Sequence, residues 1–189
     1  EDSVLLVVNG ANIDKDEAWV QAHLPAGGKF RNESDDTALL AVQGPATQPF
    51  LQRLTETALD PMGTYTAQWG EVCGIEVLTS RTGYTGEDGF ELYVPARWAA
   101  DLWDRLMEEG KSVGIVPIGL AARDTLRFEM GYCLYGNDID DFTTPLEAGL
   151  SWTVKLNKES FIGREALVKQ KDRGVSRRLV GLVPQSPRC

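Results

Sequence analysis

The pattern of hydrophobic and polar positions predicts short strands alternating with helices in the first 80 residues. Residues 4–8 are apolar without interruption and rich in β-branched side chains, which indicates a strand buried on both faces. Trp19, Val20 and Leu24 then recur at helical spacing and predict a helix. Beyond them, alternation and turn residues predict a hairpin of strands 30–34 and 37–43, a helix at 49–57, and a second hairpin of strands 65–72 and 75–80.

The remaining residues are predicted to mix strands and helices in the same way. A helix is expected to begin at Pro95 or Ala96 and to end at Gly110, because an apolar stripe at helical spacing lies between them. The other predicted elements are strands at 90–94, 113–118 and 151–154, helices at 120–129 and 164–171, and a strand that begins at 177.

The order of these elements predicts the α+β class. Up to residue 80 the order is strand, helix, strand, strand, helix, strand, which matches a ferredoxin-like split βαβ unit with antiparallel pairing. We therefore expect a ferredoxin-like portion at residues 1–80 and a second α+β portion at 81–176.

Composition restricts the classes of partner. Hydrophobic residues make up 42% and charged residues 25% of the 189 positions, which is typical of a folded domain. The sequence has 28 acidic and 19 basic residues, so the net charge is −9. Nucleic acids and anionic membranes attract cationic patches, so we expect neither as a partner.

Few side chains are suited to bind a metal ion. The three cysteines form no C-x-x-C pair and His23 is the single histidine, so we expect no metal site and a reducing compartment. The acidic run at 137–141 lacks the acid and glycine spacing of an EF-hand calcium loop. No apolar run approaches the roughly 20 residues of a membrane-spanning helix.

The segment 81–91, Arg-Thr-Gly-Tyr-Thr-Gly-Glu-Asp-Gly-Phe-Glu, is the main candidate for a binding site. Its three glycines allow the backbone to fold tightly between two predicted strands. Tyr84, Glu87 and Asp88 would then lie on a loop between rigid elements, where binding groups are often found. On local chemistry alone, a decorated hairpin turn is an equally good interpretation.

Three other side chains have two interpretations each. Arg123 lies in a charged stretch of helix 120–129, where it could bind a ligand, or where local ion pairs such as Asp124 with Arg127 could explain the charges. Asn9 could present its amide to a ligand or satisfy a turn. Trp152 could lie flat against a planar ligand or belong to the core.

Six stretches, taken together and in order, resemble the aminomethyltransferase of the glycine cleavage system, the T-protein family. One match would be weak, but six collinear matches over nearly the whole chain are specific. The stretches are Val-Val-Asn at 7–9, Lys-Asp at 15–16, the segment 81–91, Ala-Arg-Asp-Thr-Leu-Arg at 122–127, residues 131–140 with Thr-Pro at 144–145, and Phe-Ile-Gly-Arg-Glu at 161–165.

The resemblance implies a folate-binding fold and a transferase activity. In that family, tetrahydrofolate lies in a central channel between domains. The enzyme takes the aminomethyl carbon from the lipoyl arm of the H-protein and forms methylenetetrahydrofolate and ammonia. We therefore expect tetrahydrofolate as the cofactor, the lipoylated H-protein as the partner, a role in glycine catabolism, and a location in a bacterial-type cytoplasm or the mitochondrial matrix.

Carried over residue by residue, the resemblance implies that Glu87 binds the pterin ring of the folate and that Arg123 helps to hold the same ligand. A carboxylate can accept the adjacent 2-amino and N3–H donors of a pterin together, and a guanidinium offers a fixed fork of donors to a carbonyl or carboxylate oxygen. Asn9 and Tyr84 lie in family motifs near the channel, and Trp152 offers a stacking surface.

The same resemblance predicts that parts of the family's chain lie outside these 189 residues. The family's catalytic aspartate belongs to a motif that would lie upstream of Glu1, so no catalytic residue is assigned. Residues 177–189 would be the start of a truncated C-terminal barrel, most of which would follow Leu182. A fragment without the aspartate could bind folate without being active.

Related proteins with other functions provide alternatives. One is a non-catalytic folate-binding module of the kind that maintains iron–sulfur enzymes, although Ser160 stands where that group has a cysteine, and a hydroxyl does not replace thiolate chemistry. Another is the folate domain of a sarcosine or dimethylglycine demethylase, which would need a flavin-binding region. A purely structural domain would bind no folate.

Overall fold

The computed structural model describes residues 3–183 and residue 185, which form two compact units divided after Met130. The divisions predicted at residues 80 and 176 do not coincide with this one. In chain order the helices and strands are α1 (Ile13–Ala22), β1 (Thr37–Gln43), α2 (Thr47–Leu51), β2 (Ala67–Val72), β3 (Ile75–Ser80), β4 (Gly89–Pro95), α3 (Ala99–Glu109), α4 (Leu120–Glu129) and α5 (Arg164–Arg173). Single turns of 3-10 helix lie at Gly10–Asn12, Gln52–Leu54, Ala96–Trp98, Gly110–Val113 and Ser151–Thr153.

The first unit is built on one antiparallel sheet of four strands in the order β1-β4-β3-β2. The strands β2 and β3 form a hairpin whose turn residues, Cys73 and Gly74, have φ of 54° and 73°. These angles match the left-handed turn that suits the twist of a two-residue hairpin. The α+β class and the antiparallel pairing predicted from the sequence are confirmed.

The core lies between one face of the sheet and the helices α2 and α3. Alternate residues of β4, Phe90, Leu92 and Val94, are buried on this face, because successive side chains of a strand point to opposite sides. Helix α3 covers them with Leu102 and Leu106, which lie four residues apart on its apolar stripe. The opposite face of the sheet carries the intervening side chains of each strand.

Two strands predicted near the start of the chain are absent. Residues 4–8 are extended but pair with no strand among the described residues, and their side chains are between 41% and 85% exposed. Apolar content indicates burial but does not provide the neighbouring strand that burial requires. Residues 30–34 are not a strand either, because a turn from Glu33 to Asp36 follows them and β1 pairs with the distant strand β4 instead.

Three later strand predictions are also wrong. Residues 113–118 begin in a 3-10 turn and pass through Gly114 at φ 77°, which interrupts an extended path. Residues 151–154 contain a 3-10 turn in which the Thr153 hydroxyl donates to Leu150 O, and Trp152 is 62% exposed rather than in a core. Residues 177–183 form no strand, and 184 and 186–189 lie outside the described residues.

Within the described residues, no helix is long and apolar enough to cross a membrane.

The second unit is organised around the buried carboxylate of Glu147. Its Oε2 accepts a hydrogen bond from the Thr144 amide at 3.0 Å, and the Thr144 hydroxyl accepts one from the Glu147 amide at 3.2 Å, as in a helix capping box. Arg177 Nε lies 3.3 Å from Glu147 Oε1, and the Leu179 amide donates to Glu147 O at 2.9 Å. The Thr144 hydrogen bond and the Arg177 guanidinium hold the pKa of Glu147 below its usual range. Glu147 therefore helps to fix the path of the chain at 177–179, together with the hydrogen bond from Arg177 to Phe142 O.

We expect Glu147→Gln to release this segment. The amide loses the charge that attracts Arg177 and turns one acceptor into a donor, so it cannot keep both the Thr144 amide and the guanidinium as donors. Arg177 then keeps only its hydrogen bond to Phe142 O among these contacts. Amide hydrogen exchange followed by mass spectrometry at pH 7 should become faster at residues 177–179. Glu159→Gln, which replaces an exposed carboxylate in the same unit, is the control. Unchanged exchange at Leu179 in the Glu147 variant would contradict the assignment.

Candidate functional site

The loop between β3 and β4 is closed by an ion pair between Arg81 and Asp88. Arg81 Nε donates to Asp88 Oδ1 at 3.0 Å and Nη2 donates to Oδ2 at 2.7 Å, a two-point contact of the kind guanidinium and carboxylate groups favour. Arg81 Nη1 donates to the main-chain oxygens of Leu59 at 3.3 Å and Met62 at 2.9 Å. The guanidinium also lies 5.3 Å from the centroid of the Phe90 ring. Arg81 thus binds the base of the loop to the segment after α2.

Asp88 has a structural role in this arrangement. Its side chain is held by Arg81, and its main-chain oxygen accepts a hydrogen bond from the Gly44 amide at 2.8 Å. The hydrogen bond from Arg81 is the main cause that lowers the pKa of Asp88. Of the three side chains that the loop was predicted to offer to a ligand, this one is used inside the protein.

Tyr84 and Arg123, both predicted site residues, are in contact. The guanidinium carbon of Arg123 on α4 lies 4.7 Å from the centroid of the Tyr84 ring, within the range of a cation–π interaction. The loop meets the end of α4 as well, because a Cβ added at Gly86, which has φ 82°, would overlap with the Met130 side chain. The loop therefore packs along α4, with Arg123 on the exposed surface.

Glu87 lies on the same loop and is exposed. Its amide donates to Thr85 Oγ1 at 3.3 Å, which bends the backbone in a short side-chain-stabilised turn. In the part of the chain that the structure describes, no cation pairs with its carboxylate. The charge of Glu87 is thus open to solvent, three residues along the loop from the contact between Tyr84 and Arg123.

Asn9 and Trp152 have local roles. Asn9 Oδ1 accepts a hydrogen bond from the Ala11 amide at 3.0 Å and so caps the 3-10 turn at Gly10–Asn12. This is the turn interpretation that its sequence position left open. Trp152 lies in a 3-10 turn of the second unit with most of its ring exposed. The ligand roles of the five residues predicted from the sequence stay predictions; these residues are Asn9, Tyr84, Glu87, Arg123 and Trp152.

A second carboxylate lies beside the loop on the outer face of the sheet. Glu91 Oε2 accepts hydrogen bonds from the Thr82 hydroxyl and, at 3.3 Å, from the Tyr93 hydroxyl. Thr82 Oγ1 is also 3.0 Å from Ser80 Oγ. Burial and the nearby Glu91 charge raise the pKa of Tyr93 to about 12, so its hydroxyl stays a donor. From the sequence alone Glu91 receives no role, although its alternation with Phe90 and Leu92 already places it opposite the core.

The described residues contain no group of three or more histidine, cysteine, aspartate or glutamate side chains that could hold a metal ion.

Comparison with known proteins identifies the family. The profile of the GCVT N-terminal domain matches residues 1–158. The chain belongs to the glycine cleavage T-protein family. Similar proteins include the aminomethyltransferase of Halothermothrix orenii, 53% identical over 181 residues, which are 96% of this chain and 51% of that protein. Another is the aminomethyltransferase of Desulfitobacterium hafniense strain Y51, 54% identical over 179 residues, covering 94% of this chain and 49% of the relative.

The fold agrees with a solved member of the T-protein family. The crystal structure of glycine cleavage system aminomethyltransferase T from Bartonella henselae matches with a TM-score of 0.76 at 33% identity, over 90% of this chain and 46% of that one. The chain thus spans about half the length of the T-proteins it matches. The loop of Tyr84 and Glu87 and the helix of Arg123 both lie within residues 1–158, the range that the family profile matches.

We expect the ion pair of Arg81 and Asp88 to contribute to the acid sensitivity of this T-protein chain. Because the pKa of Asp88 is lower in the folded than in the unfolded state, the ionised pair stabilises the fold above the unfolded value of about 4, and the contribution disappears as the pH falls through the folded-state value. At pH 7, Asp88→Asn should lower the free energy of unfolding by at most about 1 kcal/mol, because the carboxylate is 42% exposed to solvent.

Urea unfolding of the parent and of Asp88→Asn across this range checks the expectation. The two free energies should differ at pH 7 and converge as the pH is lowered below 4. Asp104→Asn on the exposed face of α3 is the control. A constant difference between parent and Asp88→Asn at all pH values would show that Asp88 ionisation is not linked to folding.

Proposed function

We propose that this chain is the folate-binding part of a tetrahydrofolate-dependent aminomethyltransferase. The observation that carries the proposal is the contact between Tyr84 and Arg123 beside the exposed carboxylate of Glu87. Residues 39 positions apart in the sequence are held together there, beside a carboxylate suited to the pterin edge of a folate. The names of the relatives support the transferase activity.

The side chains available at the loop fit the edge of a pterin. Glu87 offers two carboxylate oxygens that are not paired with a cation among the described residues, and adjacent N–H donors are what such a pair accepts best. Arg123 offers N–H donors to a carbonyl or carboxylate oxygen, and its stacking on Tyr84 restricts its orientation. Tetrahydrofolate, when bound, supplies the nitrogen atoms that accept the one-carbon unit.

Residues of this chain are given binding and orienting roles only. The carboxylate that faces the reactive nitrogen of the folate is assigned by the family resemblance to a motif before residues 7–9. Glu87 and Arg123 would hold the ring at two edges and so fix the distance from that group to the reacting atom, which is how positioning residues accelerate a transfer. The lipoylated H-protein is the proposed donor of the aminomethyl carbon, in a bacterial-type cytoplasm or the mitochondrial matrix.

Glu91 is a competing candidate for the pterin donors. Unlike Glu87, it is half-buried, and hydroxyl groups of Thr82 and Tyr93 fix its orientation. Preorganised groups bind ligands more tightly because less conformational freedom is lost on binding. The free oxygen of its carboxylate could therefore accept the same donors, and the two assignments predict different variants to be impaired.

Calorimetric titration with tetrahydrofolate distinguishes the two carboxylates. Glu87→Gln removes the charge and leaves one acceptor facing two donors, so the loss of a charged hydrogen bond should cost ~1.5–3 kcal/mol, which corresponds to roughly 10- to 150-fold weaker binding. Glu91→Gln should be measured in parallel. Glu76→Gln, an exposed carboxylate at the other end of β3, is the matched control.

Each outcome of the titration supports a different assignment of the pterin site. Weaker binding in Glu87→Gln alone supports the assignment made here, whereas weaker binding in Glu91→Gln alone transfers the role to Glu91. Equal affinity of the parent and both variants would reject the loop as the pterin site. Absence of tetrahydrofolate binding by the parent chain would favour a structural domain.

The transferase activity needs a separate assay. With aminomethylated H-protein and tetrahydrofolate, an aminomethyltransferase should produce methylenetetrahydrofolate and ammonia in equal amounts, measured by absorbance and by an ammonia-coupled reaction. Omission of H-protein is the control, and product should then be absent. Folate binding without turnover by this chain would favour either a folate-binding part that lacks the catalytic aspartate or a non-catalytic folate-binding module.

A further inference from the structure

The carboxamide of Gln43, the last residue of β1, makes hydrogen bonds to three places on the loop. Its Nε2 donates to Thr82 O at 3.1 Å and to Phe90 O at 3.2 Å. Its Oε1 lies 3.5 Å from Thr85 Oγ1, which donates to it. An amide group has two N–H donors and one acceptor oxygen, so both ends of Gln43 are used. One side chain thus connects the start, the middle and the end of the loop.

Two glycines of the loop make room for this side chain. A Cβ added at Gly83 would overlap with the carboxamide oxygen of Gln43, and one added at Gly89 would lie 2.6 Å from its carboxamide carbon. Neither glycine has a positive φ, so neighbouring atoms rather than the φ angle exclude a Cβ at both positions. At Gly89 the added Cβ would also lie 2.7 Å from Val42 O. Glycine is therefore needed there for space, because any side chain would displace the carboxamide.

The contacts of Gln43 lie next to Tyr84, Glu87 and Glu91, the three ligand candidates of the segment 81–91. Thr82, whose carbonyl it holds, donates through its hydroxyl to Glu91, and Phe90 directly precedes Glu91. Thr85 follows Tyr84, and its hydroxyl oxygen also accepts the hydrogen bond from the Glu87 amide. Gln43 itself is partly buried behind these residues and belongs to the rigid sheet.

We propose that Gln43 is a positioning residue that fixes the ligand-binding shape of the loop. It acts through the main chain of the loop and through Thr85, and it does not touch the ligand. The inference rests on the proposed function only for the identity of the ligand. The shape of the loop can be measured without any ligand.

The test uses Gln43→Met and Gln43→Glu. Methionine retains the length of the side chain but makes none of the three hydrogen bonds, and glutamate places a negative oxygen against two carbonyl oxygens. In both variants, amide exchange at residues 82–88 should become roughly 5- to 13-fold faster, since the loss of one hydrogen bond of ~1 to 1.5 kcal/mol corresponds to that factor. Tetrahydrofolate affinity should fall by a similar factor, measured where each variant is fully folded.

A double-mutant cycle with Gly83→Ala tests the fit itself. Gly83→Ala alone should displace the carboxamide and loosen the loop as much as Gln43→Ala does. Once Gln43→Ala is present, the added methyl group meets no side chain at position 43, so Gly83→Ala should have little further effect. Gly181→Ala, where an added Cβ meets nothing within 4 Å, is the control glycine.

General destabilisation must be separated from loss of position. Ile75→Val removes one methylene group from the core at the far end of β3 and should lower the stability without changing the exchange of the loop or the affinity. Unchanged loop exchange in the Gln43 variants, or full additivity of Gly83→Ala with Gln43→Ala, would overturn the proposal. Faster loop exchange with unchanged folate affinity would keep the role of Gln43 and reject the loop as the folate site.

Discussion

The antiparallel pairing of β1 with β4 is the interaction on which the rest of the first unit depends. Seven residue pairs, from Thr37 with Pro95 to Gln43 with Gly89, join segments about 50 positions apart in the sequence. On one face the pairing aligns Val42 and Phe90 with the core under α2 and α3. At its end it brings Gln43 and the Gly44 amide to the base of the loop. The register that buries the core is thus also the register that places the loop.

The charged and polar groups of the loop divide into two sets. Arg81, Asp88 and the Gln43 carboxamide make their contacts within the protein and hold the backbone. Glu87 and Arg123 extend to the surface, where Arg123 is restrained only by the ring of Tyr84 among the described residues. Because the inner set holds the backbone of the loop by directional bonds, the outer side chains start from a fixed backbone and keep their charges. This division is what a recognition loop needs, and a simple hairpin turn would not require it.

The sequence predicts an element well where the pattern itself contains the determinant of the structure. Strand β3 and helix α4 have the predicted bounds, because alternation and helical periodicity are local properties. Residues 4–8 were predicted to be buried, and a core position was one of the two interpretations of Trp152, because these residues are apolar. Burial depends on which surface lies opposite, and residues distant in the sequence form that surface. Similarly, the apolar residues at 113–118 predicted a strand, but the left-handed conformation of Gly114 interrupts the extended path.

The candidate site shows the same limit more sharply. The glycines of segment 81–91 correctly indicate a tightly folded loop, but a glycine can be required for a positive φ or for space, and the sequence does not tell which. Gly86 is of the first kind, with φ 82°, whereas Gly83 and Gly89 are of the second, because the Gln43 side chain occupies the volume of their missing Cβ atoms. Gln43 lies 40 residues before Gly83 in the sequence, so the segment 81–91 contains no sign of this contact. The register of β1 on β4 is what brings the Gln43 side chain to the loop.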